Sequence, residues 1–303
     1  MVALAEPLEP APYIGRCATS GRGTRNVVLT GEATHCHVPN FADPISIKTA
    51  IHGEVEWRLG KQRYLIRPDT LLLLPDGDEY SLTIDSAEPS RGFNVLFRRG
   101  LVEECWRSAV GSDEALLDAP EELAPLPFRR RLESRAGQLG QVLDALVTAV
   151  AAGAPADPVE WLFEALGARV AEAVVEERRE RRRLTAVRPG TRLEIHRRLQ
   201  LARAVIEDEL AAPWTLVTMA RAGMMAPHHF HRCFHLAFGE TPRRWLARRR
   251  AERALALLRY TRSSVTDVCL QVGYASAGSF STSFAARYGV PPSKIERANR
   301  PRR

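Results

Sequence analysis

Cysteine is scarce in this chain. Cys17, Cys36, Cys105, Cys233 and Cys269 form no C-x-x-C pair, and their number is odd. No disulfide framework is expected from such spacing, and a reduced, cytoplasmic protein follows. Long apolar runs are also missing: nothing approaches the ~18 consecutive apolar residues of a membrane helix, so no membrane partner is expected. The N-terminus, MVALAEPLEPAPY, has neither a basic start nor a long apolar core and does not read as a secretory signal. Nor is a Ser-His-Asp, catalytic-cysteine or phosphate-loop arrangement legible anywhere.

What the chain does hold is an internal repeat. Gly223, Phe230, Phe234, Phe238, Gly239 and Pro242 recur fifty residues later as Gly273, Phe280, Phe284, Tyr288, Gly289 and Pro292. In each copy the aromatics fall at i, i+4 and i+8, one stripe of a helix. Each stripe then stops at a glycine, the residue that tolerates the left-handed position past a helix end. Short apolar helix patterns precede each copy: Leu216, Met219 and Ala220, then Val265, Val268 and Cys269. Helix, turn and aromatic-pinned second helix, twice over, is the shape of tandem helix-turn-helix units.

Charge points the same way. Residues 191–303 carry 20 basic and 8 acidic side chains, a net +12, whereas the whole chain is +7, which leaves −5 for residues 1–190. A basic module joined to a mildly acidic one fits one part facing phosphates and another facing something else.

A chain of 303 residues, 45% of them hydrophobic, is long enough for two domains or two plus a connector. Residues 1–25 read as a flexible leader rich in Pro, Gly, Ala and Arg. Residues 26–100 read as a small antiparallel barrel or sandwich, with strands at 45–51, 54–59, 62–66, 70–74, 80–84 and 92–97 separated by turn signals. Val55, Trp57, Leu59, Phe93, Val95 and Phe97 are the inward candidates by alternation. Residues 101–190 read as a helical connector with two apolar stripes. One runs through Leu139, Val142, Leu143, Leu146, Val147 and Val150; the other through Trp161, Leu162, Ala165, Leu166, Val170, Ala173 and Val174. Dimer packing and docking on the barrel would each cover them. The charged run at 176–183 reads as a solvated helix end, with a phosphate contact as the alternative. Arg188-Pro189-Gly190 marks the linker, and residues 191–303 form the basic domain.

The segment from about Arg192 to Arg297 resembles the DNA-binding domain of the AraC/XylS family of bacterial transcription regulators. The resemblance is carried by LARAVIEDEL, by WTLVTMARAGMMAPHHFHRCFHLAFGETPRRWLARRRAERALALL and by SVTDVCLQVGYASAGSFSTSFAARYGVPPSKI. The last stretch is the most diagnostic. The resemblance implies seven helices, with recognition helices near 227–238 and 276–288. It places His228, His229, His231, Arg232 and His235 on the first and Ser276, Ala277, Ser279, Thr282 and Ser283 on the second as DNA-binding candidates. In the first helix the apolar face is Phe230, Cys233, Phe234, Ala237 and Phe238, so His228, His231, Arg232 and His235 point away from it, as base- and phosphate-contacting groups must.

The second helix departs from the family's pattern. Its groove positions are all short, and Thr282 stands where many members carry a long basic side chain, so the first helix is expected to supply most of the sequence reading. Ala226 replaces a common serine N-cap, a loss of about 1 kcal/mol, while Ser276 keeps it. Pro227 offsets part of the loss by presetting φ. Between the units, 243–260 reads as a helix with Ala247, Ala251, Ala254, Leu255 and Leu258 on one stripe. Arg248, Arg249, Arg250 and Arg253 cover the rest, a set expected to face DNA. At helical rise that helix spans roughly 27 Å, near the ~34 Å between successive major-groove faces.

The strand region is similar to the cupin-like sensor domain common in this family. The carriers are His35-Cys36-His37, the turn at Gly53, Tyr64-x-x-Arg67-Pro68 and Pro75-Asp76-Gly77. A cupin metal site wants two histidines, a nearby carboxylate and a later histidine. Here Tyr80 takes the later position, and Asp43 and Glu54 are the nearest acids. A bound metal is therefore not expected, and no cofactor is assigned. The barrel is left as a small-molecule pocket or a structural core. A zinc site on His231 and His235, with only His228 to complete it, would block the reading surface and is set aside.

The expected fold is α+β and multidomain: a cupin-like barrel, a helical connector and an all-α tandem helix-turn-helix domain. The expected function is a non-enzymatic, sequence-specific regulator that binds double-stranded DNA. A small-molecule effector, a homodimer and, for an activator, RNA polymerase are the further partners. The rival reading is a cupin-type metalloenzyme fused to a DNA-binding tail, which lacks its metal constellation here.

Overall fold

The computed structural model describes residues 3–4, 23–110, 126, 128–185, 188–261 and 263–295. Nearly all of the expected leader, and the chain beyond residue 295, lie outside the described residues. Two compact units emerge, Met1–Glu176 and Glu177–Arg303.

The first unit is built on one curled, mostly antiparallel sheet. Its strands are β1 (Ala3–Leu4), β2 (Val27–Ala42), β3 (Ser46–His52), β4 (Val55–Leu59), β5 (Gln62–Ile66), β6 (Thr70–Leu74), β7 (Glu79–Leu96) and β8 (Arg131–Ser134). They run in the order β1-β2-β7-β3-β6-β8, with β4 bridging β7 and β5. The segments 80–84 and 92–97, expected as separate strands, are largely one 18-residue strand, β7. It pairs along its length with the 16-residue β2, which the turn-punctuated pattern did not reveal, and two register irregularities in that pair accommodate the curl. β8 lies inside the stretch expected to be helical and pairs with β6.

Both faces of β6 are buried, and Leu71–Leu74 show why. Leu72 and Leu74 join Trp57, Tyr64, Ile66, Tyr80, Leu82 and Ile84 inside the curl. Leu71 and Leu73 point the other way, toward the helices α1 (Leu101–Val110), α2 (Gln138–Ala151) and α3 (Ala156–Arg183). Period-two alternation with two apolar environments produces an unbroken leucine run. The inward candidates divide accordingly: Val55, Trp57 and Leu59 face the interior, but Phe93, Val95 and Phe97 pack under the helices. Docking on the sheet covers the stripe of α2, through Leu143 and Leu146, and most of that of α3. Trp161 is an exception; it is 66% exposed.

In the second unit the last turns of α3 lead into α4 (Pro189–Asp208), α5 (Leu216–Ala222), α6 (Pro227–Phe238), α7 (Pro242–Tyr260), α8 (Val265–Gln271) and α9 (Ala277–Tyr288). A 3-10 turn, Pro292–Lys294, ends the described part. Pro189 is thus not a linker residue but the N-terminal residue of α4, where a missing N–H costs nothing. The charged run 176–183 is not a solvated end. Glu177 and Glu180 are buried, Glu180 meets His196 Nε2 at 2.7 Å, and Arg183 donates to the Ala237 carbonyl at 3.2 Å.

Two apolar cores share α7. Trp245 and Leu246 join Leu199, Ile206, Met219, Phe230 and Phe234 in one; Ala254 and Leu258 join Val268, Cys269, Phe280 and Phe284 in the other. The aromatic stripes stack alike in both copies. Phe230–Phe234 and Phe234–Phe238 centroids are 5.4 and 4.6 Å apart, Phe280–Phe284 and Phe284–Tyr288 5.6 and 4.6 Å. No described helix is long and apolar enough to cross a membrane.

Candidate nucleic-acid interface

Each unit begins with a short helix fixed by a reciprocal cap. Thr215 Oγ1 accepts from the Thr218 N–H at 3.2 Å, and Thr218 Oγ1 accepts from the Thr215 N–H at 2.9 Å. In the second copy Ser264 Oγ accepts from the Asp267 N–H at 3.1 Å, and Asp267 Oδ2 accepts from the Ser264 N–H at 3.2 Å. The Ser264 hydroxyl and N–H hold the Asp267 carboxyl below its ordinary range. The aromatic helices end as expected, at Gly239 and Gly289 in the left-handed region, φ 71° and 73°. Ala226 offers α6 no side-chain cap, whereas Ser276 Oγ accepts from the Ser279 N–H at 3.3 Å.

The constant fifty-residue spacing holds for α6 and α9 but not for the helices before them. The caps Thr215 and Ser264, and the buried pairs Met219/Val268 and Ala220/Cys269, are offset by 49. The left-handed residue of the first turn is Met224, φ 51°, so Gly273, φ 81°, matches Met224 and not Gly223. The second turn is one residue longer, and the extra residue restores the spacing of fifty. Gly223 is needed for a different reason: a Cβ there would lie 2.9 Å from the Arg198 carbonyl oxygen and 3.3 Å from the Ala202 Cβ.

On α6, His228, His231, Arg232 and His235 are exposed, opposite the buried Phe230, Cys233, Phe234 and Ala237. The three imidazoles make no side-chain hydrogen bond among the described residues. His229 is set apart from them. It is half-buried, its ring nitrogens 3.7 Å from Cys233 Sγ, and it lines a cleft of about 710 Å³ with Glu194, Arg198 and Arg232. Arg197 and Arg198 hold the Glu194 carboxyl down to about 2. Burial pushes the Cys233 thiol up, away from a reactive thiolate.

On α9, Ser276, Ala277, Ser279, Thr282 and Ser283 are all exposed, but the hydroxyls are engaged. Ser276 caps the helix, Ser279 Oγ donates to the Ser276 carbonyl at 3.0 Å, and Thr282 Oγ1 donates to the Gly278 carbonyl at 3.0 Å. Ser283 Oγ lies 3.1 Å from the Tyr274 hydroxyl. A second cleft of about 780 Å³ is lined by His231 of α6, Ser283 of α9 and Arg243 at the start of α7, so both aromatic helices border one space.

The α7 arginines are not the outward set expected. Arg249 is 2% and Arg253 8% exposed. Arg249 donates to Glu207 at 2.9 and 2.6 Å and pairs with Glu252; Arg253 donates to Glu207 at 3.2 Å. Arg248 bridges Glu240 at 2.6 Å and Glu252 at 3.1 Å. Of the carboxylates that claim these guanidiniums, Glu252 is on α7 itself and Glu240 just before it, whereas Glu207 comes from α4. Arg221, Arg232, Arg243 and Arg244, by contrast, are exposed and have no acidic partner among the described residues. Arg243 and Arg244 were not singled out from the sequence, although two cations in the first turn of α7 oppose the helix dipole, a signal in itself.

In the first unit, His35 and His37 stand exposed on β2, bonded across to Asp85 at 2.9 Å and Thr83 at 3.1 Å. Asp43 does not join them: it is buried with Lys48 at 2.9 Å and with Tyr80. Lys48 Nζ donates to the Tyr80 hydroxyl at 2.7 Å and lies 4.7 Å from that ring's centroid. Glu54 pairs with Arg67. Among the described residues no three His, Cys, Asp or Glu side chains gather as metal ligands.

A curled sheet backed by helices, followed by two capped helix-turn-helix units, defines a sensor joined to a DNA reader. Residues 30–166 match the AraC-like ligand binding domain and residues 219–298 a helix-turn-helix domain. The chain belongs to the AraC family of transcription regulators, which are not enzymes. It is 34% identical over 98 residues to the HTH-type transcriptional activator RhaS of Enterobacter sp. (strain 638), over 32% of this chain and 35% of that relative. The matched segment spans about a third of such curated relatives. Among solved structures, the DNA-binding domain of AdpA in complex with a target DNA is 26% identical over 31% of this chain and 86% of that one, with a TM-score of 0.31. Unsaturated fatty acid bound ToxT from Vibrio cholerae is 15% identical over 90% of this chain and 95% of that one, with a TM-score of 0.35.

Proposed function

We propose that this chain is a cytoplasmic transcription regulator that reads double-stranded DNA chiefly through α6, while its first unit binds a small-molecule effector and forms a homodimer. The observation that carries the reading is the contrast between the aromatic-pinned helices. His228, His231, Arg232 and His235 project from α6 and are available to bases and phosphates, whereas the hydroxyls of α9 are occupied within the protein. Arginine binds guanine in two-toothed fashion, and imidazole is a less committed donor or acceptor. Ser276, Ala277, Ser279, Thr282 and Ser283 then contribute mainly close approach to the backbone, and His229 serves the flank of α6. Contact with RNA polymerase belongs to the reading in which DNA binding activates.

Selection of bound sequences from a random DNA pool, with and without cell extract, tests the reading. One enriched site, altered in affinity by a component of the extract, is the expected result. Binding insensitive to salt, or no enrichment, would overturn it, because neutralised phosphates lower log K by roughly 0.9 per contact per decade of salt.

A further inference from the structure

Two apolar cores that share no side chain need something besides α7 to hold their mutual angle. Long helices bend, and α7 supplies Trp245 and Leu246 to one core and Ala254 and Leu258 to the other. Arg250 sits between these pairs, and its guanidinium reaches both halves. Nε donates to the Leu210 carbonyl at 2.9 Å and Nη2 to the Ala212 carbonyl at 2.8 Å, both in the α4–α5 loop. Nη1 donates to the Gly273 carbonyl at 3.1 Å, in the turn between α8 and α9. At that turn the two backbones touch: a Cβ on Gly273 would lie 2.6 Å from the Ala211 carbonyl oxygen and 2.8 Å from its Cα.

We propose that Arg250 is a positioning residue that clamps the two helix-turn-helix units at one separation, and so sets the spacing between the two DNA segments they read. This rests on the DNA-binding reading above. Arg250 has no acidic partner among the described residues, and its hydrogen bonds go to three neutral carbonyls. Its planar fork serves three acceptors in fixed directions, which a lysine's single ammonium does not reproduce. A second tie runs parallel to it: Arg287 of α9 lies 3.6 Å from Glu252, which pairs with Arg249, which in turn bonds Glu207 of α4. Burial lowers the affinity of Arg250 for its proton, and the residue lines the same cleft as His231, Arg243 and Ser283. DNA offers successive major-groove faces at a fixed repeat, so a rigid pair of readers accepts one spacing and a hinged pair accepts several.

The test uses the full chain and the site selected from random DNA. The two half-elements are then separated by insertions and deletions of one or two base pairs, and binding is measured for the parent, Arg250→Ala, Arg250→Lys and Gly273→Ala. The parent is expected to discriminate sharply among spacings. Arg250→Ala should flatten that discrimination by roughly 3- to 30-fold, the range in which coupling residues act, with the salt dependence unchanged. Arg250→Lys should restore part of it. Gly273→Ala, whose new Cβ would lie 2.6 Å from the Ala211 carbonyl oxygen and 2.8 Å from Arg250 Nη2, disturbs the same clamp from the other side and should also flatten or shift the optimum, so it provides a second variant should Arg250→Ala unfold. A parent that binds with no spacing preference overturns the proposal. So does an Arg250→Ala profile of unchanged shape, or a uniform loss with a shallower salt slope, which would make Arg250 a phosphate contact. A parent that binds no DNA at all refutes the DNA-binding reading itself.

Discussion

Glu180 and His196 meet at 2.7 Å with both side chains buried, and this pair ties the last turns of α3 to α4. Leu184, 2% exposed, packs beside them in the core of the first helix-turn-helix unit. The reading unit therefore begins before residue 191.

A fragment starting at Glu177 should be more stable than one starting at Thr191. Loss of Leu184 burial alone removes about 1.5–3 kcal/mol, and His196 is left without its carboxylate. Urea unfolding of the two fragments measures the difference, and equal midpoints would show that the α3 tail contributes nothing.

Met224 occupies a left-handed position that its second-copy counterpart fills with glycine, and it is 59% exposed. Met224→Gly should stabilise the second unit slightly, by up to about 1 kcal/mol, because relief of left-handed strain outweighs the added chain entropy of glycine. Gly273→Ala should destabilise it, since the new Cβ meets the Ala211 backbone. Thermal melts decide both signs; a less stable Met224→Gly would mean that the methionine side chain packs usefully.

The exposed and buried arginines of α7 should separate cleanly. Arg243→Ala or Arg244→Ala should lower the salt slope of DNA binding by about one phosphate each while leaving stability unchanged. Arg249→Ala should instead destabilise the fold by about 1.5–3 kcal/mol, because it strips charge-assisted hydrogen bonds from the buried Glu207 and Glu252, which keep Arg253 and Arg248. Salt titrations and urea melts on the three variants check the division. An Arg249→Ala protein of normal stability would return that arginine to the surface.

Within the recognition helices, Arg232→Ala should relax base preference at one position and weaken the site by about 1–3 kcal/mol. Ala277→Gln should add preference, because a long amide reaches where α9 now presents a methyl. Profiling on randomised half-sites distinguishes the cases. Uniform weakening by Arg232→Ala would make it a phosphate contact, and a sharper preference already present under α9 in the parent would reverse the proposed division of labour.

Much of this architecture is written in local periodicity. The i, i+4, i+8 aromatics, the glycine stops and the strands at 62–66 and 70–74 follow from the geometry of one helix turn or one pleat, so nearby residues suffice to determine them. The exposed face of α6, with His228, His231, Arg232 and His235, was legible for the same reason: it is what remains when the stripe is buried. Tertiary structure alone decided the rest. Phe93 faces helices and Trp57 the sheet interior, although both alternate alike, because the curl gives each face its own apolar partner. Arg249 is buried and Arg243 exposed, although both are arginines of one helix, because Glu207, forty-two residues before Arg249, is folded against only one of them. A charge pattern along a single helix carries no record of which distant carboxylate will neutralise it, and that choice separates the arginines that hold this fold from those left exposed.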